Sequence, residues 1–194
     1  MSLITILTLG RMFVCPIFLW IYFYYGDDVV SSVVIPSILF VLIILCELSD
    51  ILDGFFARKM GMVTLLGKIL DPMSDTIVRL SVFLAFTQGV VQLPLVFVLA
   101  CIVREFIVGS LRTLCAFQGL ILAARKSGKY KAVFQAMAII AIIFLMILCA
   151  LGKIPVHFLQ VGSHWIFVFT ALYTVFSGLE YLWVYRKYIF QLMR

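Results

Sequence analysis

The sequence predicts an all-α, polytopic membrane protein with six transmembrane helices and both termini in the cytoplasm. Three observations carry this expectation. The 194 residues are 65% hydrophobic and only 12% charged, with a mean hydropathy of +1.21, whereas soluble domains keep about a quarter of their residues charged. The apolar residues fall into six long runs, and a helix needs about 20 such residues to cross a bilayer. Lys and Arg gather in alternate connections, which sets the orientation. The length leaves no room for a sizeable extramembrane domain, so 1–194 is expected to form a single membrane domain.

The first run, 5–25, is expected to be a span and not a cleaved leader, because no small-residue cleavage site follows it. The second, 33–57, turns polar at Glu47, well before the helix should end. A short turn around Lys59–Thr64 follows, with Gly61 as a helix stop. The third span, 68–90, opens with Asp71 and Asp75, and Gln88–Gln92 lead into the fourth, 93–121. That run contains CIVREFIVGSLR, which puts Arg104, Glu105 and Arg112 inside an apolar helix. The segment AARKSGKYKAVFQ opens the fifth span, 132–151, and the sixth is 163–185.

The connections after spans one, three and five hold Asp27, Asp28, Lys153 and His157, with no Arg. Arg11, Arg58, Lys59, Arg125, Lys126, Lys129, Lys131, Arg186, Lys187 and Arg194 lie on the other side. The positive-inside rule makes that side cytoplasmic, together with both termini and the aspartate-rich end of span two. The expected location is therefore the cell (inner) membrane, multi-pass. A net charge of +6 then reflects orientation and contact with anionic headgroups or substrates, and no nucleic acid is expected as a partner. The five cysteines are scattered in apolar runs without a CxxC pair, as small core residues are.

The segment SDILDGFFARKMGMVTLLGKILDPMSD carries Asp50, Asp53, Asp71 and Asp75, in a chain with only nine acidic residues. Asp50 and Asp53 are spaced i, i+3, and Asp71 and Asp75 i, i+4, so each pair shares a helix face. Facing each other across a helical hairpin, the two pairs would form a carboxylate pocket. Such a pocket is costly to desolvate unless cations fill it. Hard oxygen ligands favour Mg²⁺, Mn²⁺ or Ca²⁺ over zinc. Gly54 and Ala57 leave the same helix face bare for a close approach, and Arg58 could serve a phosphate. Glu47 reads either as support for the ligands or as a plain interfacial acid.

The pattern Asp50-x2-Asp53-Gly54-x2-Ala57-Arg58-x8-Gly67-x3-Asp71-x3-Asp75 resembles, without gap or substitution, the signature of the CDP-alcohol phosphatidyltransferase family. The resemblance extends over the whole chain, since members have a six-helix membrane core of about this length. It implies transfer of a phosphatidyl group from CDP-diacylglycerol to an alcohol, with release of CMP. It further implies that Asp50, Asp53 and Asp71 bind Mg²⁺ or Mn²⁺, as two ions. Asp75 would lie at the metal site and act as general base on the incoming hydroxyl. CDP would lie on Asp50, Asp53, Gly54, Ala57, Arg58, Gly67 and Asp71, at the cytoplasmic face. A homodimer is also implied.

The acceptor is expected to be a phosphorylated small alcohol, held by Arg104, Arg112, Arg125, Lys129 and Lys131. Arginine inside a membrane helix is rare and usually functional, and Arg104 and Arg112 lie two turns apart on nearly one face. The pattern RE…LR followed by GK-x-K…Q, with the opening ILTLGRMFVCPIF, is similar to the family branch that uses sn-glycerol 3-phosphate. The chain departs from that branch at Ile4-Thr5, where Pro-Asn before Leu-Thr is common, and at Thr76, where Lys is frequent. An inositol phosphate acceptor remains the nearest alternative. A prenyltransferase of the aromatic-acceptor type fits poorly, because its acidic motifs lie in distant loops. A cation transporter would distribute its acids across the membrane depth.

Overall fold

The computed structural model describes residues 3–24, 32–59, 65–117 and 126–192, with side chains at 13–24, 32–50, 52, 73–115 and 127–186. Within these residues the chain is six α-helices: α1 Leu3–Tyr24, α2 Val34–Lys59, α3 Leu65–Ala85, α4 Leu95–Phe117, α5 Lys126–Ala150 and α6 Val156–Leu192. α1 packs on α2 and α3, and α2 continues onto α5. α6 packs on α4 and α5, while α3 touches α4 and α5 at the centre of the bundle.

Each long helix buries one stripe and exposes another. On α5 the buried residues are Lys131, Gln135, Ala138, Ile139, Ile142, Ile143, Met146 and Cys149, a helical repeat that is charged at one end and apolar beyond it. On α6 the stripe is Leu159, Ser163, Phe167, Thr170, Ala171, Thr174, Ser177 and Tyr181. Three of its hydroxyl residues bond back to their own helix: Thr170 to Ile166 O, Thr174 to Thr170 O and Ser177 to Thr174 O, each at 2.8 Å. This satisfies those hydroxyls locally, and small residues let neighbouring helices approach closely. The opposite faces carry Phe106, Phe144, Trp165, Phe169, Phe176 and Trp183, all exposed. An outer face this rich in large apolar side chains is what a lipid solvent selects. The protein is an all-α, largely membrane-embedded helical bundle. Among the described residues, Ser127–Ala150 and Val156–Arg186 are long and apolar enough to cross a membrane by length and composition. α4 carries Arg104, Glu105 and Arg112 within its apolar run, which lowers its apolarity.

Aromatic contacts knit the apolar half together. Phe83 of α3 meets Phe167 of α6 with ring centroids 4.7 Å apart, and Phe86 packs edge-on against Phe18 and Tyr22 of α1. The α3–α4 connection is held from two sides. Tyr22 donates its hydroxyl to Gln88 O at 2.9 Å, and the Gln160 amide donates to Val90 O at 3.1 Å. Gly89 has φ +68° there, and a Cβ on it would lie 3.1 Å from the Tyr22 hydroxyl. Gly89→Ala is therefore expected to destabilise the fold by about 1–2 kcal/mol, read as a lower unfolding temperature in detergent with unchanged KM values. Just past the end of α5, Gly152 has φ +70°. Gly152 N–H bonds to Cys149 O at 2.9 Å and Lys153 N–H to Leu148 O at 3.0 Å, the paired bonds that close a helix at a left-handed residue.

The helix ends depart most from the expected boundaries in α3, α5 and α6. α3 stops at Ala85, five residues early, because the Thr87–Gln92 turn begins there. α5 begins at Lys126, so Lys129 and Lys131 sit on the helix itself. α6 begins at Val156, directly after Pro155, and runs to Leu192, well beyond the expected 163–185. The carbonyl of Pro155 accepts from Phe158 and Leu159 N–H at 3.0 and 3.2 Å, so the polar start of this segment was already helical. The expected stop at Gly61 lies outside the described residues. Cys15, Cys101, Cys115 and Cys149 are buried and all five cysteines are free.

Candidate active site

α2 and α3 bring their polar ends together. Cys46, Glu47 and Asp50 from α2 and Asp75, Val78 and Arg79 from α3 line one small cleft. Helical spacing arranges these residues: Glu47 lies one turn before Asp50, and Arg79 one turn after Asp75. Glu47 and Arg79 meet as a bidentate pair, with Arg79 Nε donating to Oε1 at 3.1 Å and Nη2 to Oε2 at 3.0 Å. Both side chains are largely withdrawn from the surface, with 11% of Arg79 and 24% of Glu47 exposed. Asp75 and Asp50 are close enough to act on the Arg79 charge. Of the four expected aspartates the structure thus brings Asp50 and Asp75 to one cleft. The side chains of Asp53, Gly54, Ala57, Arg58, Gly67 and Asp71 lie outside the described residues, although all six positions are on α2 or α3.

A second polar cluster joins α4, α5 and α6. Arg104 is buried, with Nη1 3.0 Å from Glu105 Oε1 and Nη2 donating to Ser177 Oγ at 2.9 Å. Lys131, also buried, donates to the same Glu105 oxygen at 2.6 Å. Next to it the Gln135 amide donates to Thr174 Oγ1 at 3.3 Å. Arg112 lies two turns along α4, with its guanidinium carbon 5.4 Å from the centre of the Tyr181 ring on α6, a cation–π contact. Arg112 Nε and Tyr181 Oη are both buried without a hydrogen-bond partner among the described residues. Lys129 is exposed on α5, and Arg125 lies outside the described residues. The expected acceptor cations therefore divide: Arg104 and Lys131 share Glu105, Arg112 rests on Tyr181, and Lys129 faces outward.

The two clusters lie within electrostatic range of each other, since Lys131 feels the charges of both Arg79 and Arg104. Arg79 was not singled out from the sequence. Its signal was present, since it is an arginine in an apolar helix one turn from Asp75.

The cleft's donor chemistry fits a hard divalent cation, because Asp50 and Asp75 supply carboxylate oxygens from opposite helices. Among the described residues no group of three His, Cys, Asp or Glu is close enough to hold a metal; Asp53 and Asp71 are outside that set.

The family profile described as CDP-alcohol phosphatidyltransferase matches residues 1–185. The chain belongs to the CDP-alcohol phosphatidyltransferase family. Members of this family generally use divalent metal ions. Among its relatives, a CDP-diacylglycerol–glycerol-3-phosphate 3-phosphatidyltransferase of Bacillus subtilis (strain 168) is 33% identical over 183 residues, 90% of each chain. A protein of the same name in Treponema pallidum (strain Nichols) is 36% identical over 134 residues, 68% of this chain and 59% of the relative. A third, from Rickettsia felis, is 28% identical over 184 residues, 94% of each chain. As a phosphatidyltransferase family member, the protein carries its two polar clusters in a helical, membrane-associated framework.

Proposed function

We propose that the protein transfers the phosphatidyl group of CDP-diacylglycerol to sn-glycerol 3-phosphate, giving phosphatidylglycerophosphate and CMP. The observation that carries this reading is the shared cleft of Asp50 and Asp75, in a chain similar to relatives of that named activity over nine-tenths of both lengths.

In this reading Asp75 takes the proton of the acceptor hydroxyl as its oxygen attacks the lipid-bearing phosphorus. The new O–P bond forms, the pyrophosphate P–O bond to CMP breaks, and CMP leaves with the bridging oxygen. Asp50, Asp53 and Asp71, with Asp75 beside them, would hold two Mg²⁺ or Mn²⁺ ions, which supply charge neutralisation for the pyrophosphate and the departing CMP. The bare faces of Gly54, Ala57 and Gly67, together with Arg58, bind the CDP moiety. The Glu47–Arg79 pair fixes α2 against α3, which holds Asp50 and Asp75 at a set separation.

Arg104 and Arg112 bind the acceptor phosphate, helped by Arg125 and by Lys129 of α5, while Lys131 acts there through Glu105. Arginine suits this task because its planar donors match phosphate oxygens. The remaining parts of the reading are a single six-span domain over 1–194, both termini and the site at the cytoplasmic face of the cell membrane, and a homodimer. The crowding of Lys and Arg at the site's end of the chain supports that orientation.

Arg112→Ala is expected to raise the KM for sn-glycerol 3-phosphate by about tenfold or more while changing the KM for CDP-diacylglycerol little. Equal effects on both substrates would remove Arg112 from the acceptor pocket. The acceptor itself is tested by incubating purified protein and CDP-diacylglycerol separately with glycerol 3-phosphate, inositol 1-phosphate, inositol and serine. Mass spectrometry should find phosphatidylglycerophosphate; product with another alcohol alone would reassign the acceptor.

A further inference from the structure

Arg104 has a seat on α6 that its pairing with Glu105 does not require. Gly178 lies under its aliphatic stem: a Cβ there would stand 2.6 Å from Arg104 Cγ, 3.2 Å from Nε and 3.5 Å from Cδ. Among the described glycines it is the one where an added methyl group falls below 3.0 Å. The obstruction would be the Cγ methylene near the root of the side chain, whose position is tied to the α4 backbone. It could not swing away as the tip of a long side chain could.

The neighbouring residue holds the other end. Ser177 Oγ accepts from Arg104 Nη2 at 2.9 Å, and its own proton goes to Thr174 O at 2.8 Å. That back-bond leaves the hydroxyl's lone pairs turned to the guanidinium. On the far side Nη1 meets Glu105, whose Oε1 also takes Lys131. The guanidinium is thereby held by Ser177 of α6 and by Glu105 of its own helix, which Lys131 of α5 holds in turn, while Nε has no partner among the described residues.

A buried ion pair of this kind is a poor source of net stability, because desolvating the charges offsets their attraction. Fixing the plane of a planar donor is a different matter, since bidentate recognition of a phosphate depends on that plane. We infer that Ser177 and Gly178 form a positioning element of the acceptor site. Gly178 sets where the Arg104 stem lies and Ser177 sets the tilt of its guanidinium, and together they tune the preference for a phosphorylated alcohol. The inference rests on the reading above that Arg104 serves the acceptor phosphate.

Initial rates of the full chain in detergent test it, with each substrate varied in turn. Gly178→Ala is expected to raise the KM for sn-glycerol 3-phosphate by about tenfold, and Ser177→Ala by about three- to tenfold. In both variants the KM for CDP-diacylglycerol should stay within about twofold of the parent value. Ser177→Thr keeps the hydroxyl and should behave as the parent protein does. A merely structural role would instead lower the unfolding temperature and move both KM values, or neither, and either pattern would overturn the inference. Should Gly178→Ala fail to fold, the contrast between Ser177→Ala and Ser177→Thr decides. Arg104→Ala separates the two levels of the account. If it leaves the acceptor KM unchanged, the acceptor reading of Arg104 falls and this inference with it. If it raises that KM while Ser177→Ala and a folded Gly178→Ala do not, this inference alone falls.

Discussion

Asp75→Asn is expected to lower phosphatidyl transfer by about 10²–10⁴-fold, the range a positioned general base contributes. Asparagine keeps the shape of the side chain and one oxygen that can face the cleft, yet it cannot take a proton from the acceptor hydroxyl. Asp50, Asp53 and Asp71 remain in this variant, so metal-dependent binding of CDP-diacylglycerol should be largely preserved. Two measurements check the split: the transfer rate, and donor affinity with and without Mg²⁺. The base role does not survive if a folded Asp75→Asn protein has lost donor binding altogether, because Asp75 would then act chiefly as a ligand. The position of Asp75 in one cleft with Asp50 makes the experiment informative, since both roles are sterically open to it.

The second large effect is expected at the strut behind the aspartates. Arg79→Ala leaves Glu47 partly buried, without its bidentate partner, beside Asp50 and Asp75. Removing one member of a buried pair strands the other charge, and with residual solvent access at Glu47 the cost is about 2–4 kcal/mol. A clear drop in the unfolding temperature in detergent is expected, along with loss of transfer as α2 and α3 move apart. Glu47→Gln differs in a telling way. It frees Arg79 to turn to Asp50 and Asp75, so a smaller loss of stability should accompany a higher Mg²⁺ concentration for half-maximal rate. Combining the two substitutions should restore part of the stability lost in Arg79→Ala, because no stranded carboxylate remains. Additive losses would mean that the pair is not a functional strut.

The six helices could be read from the sequence because lipid demands long apolar runs, and such runs are local properties of the chain. That Asp50 and Asp75 belong to one polar site was legible for a related reason, since i, i+3 and i, i+4 spacings define one helix face without reference to the rest of the fold. What escaped was set by packing between helices. Glu47 left two readings open until α3 placed Arg79 against it, 32 residues along the chain. Lys131 read as a phosphate-binding cation, and only the register of α5 against α4 shows its 2.6 Å contact with Glu105. Gly178 carries no signal at all in the sequence, because its role depends on the path of an arginine stem from another helix. The extension of α6 to Val156 was hidden by polarity: His157 and Gln160 look like a loop, although they lie on a helix end.

Release of CMP tests the central claim most directly. With purified protein, Mg²⁺ and CDP-diacylglycerol, CMP is expected to appear only after sn-glycerol 3-phosphate is added, in equal amount to newly formed phosphatidylglycerophosphate. CMP release indifferent to glycerol 3-phosphate, or no release under any of these conditions, would contradict the account.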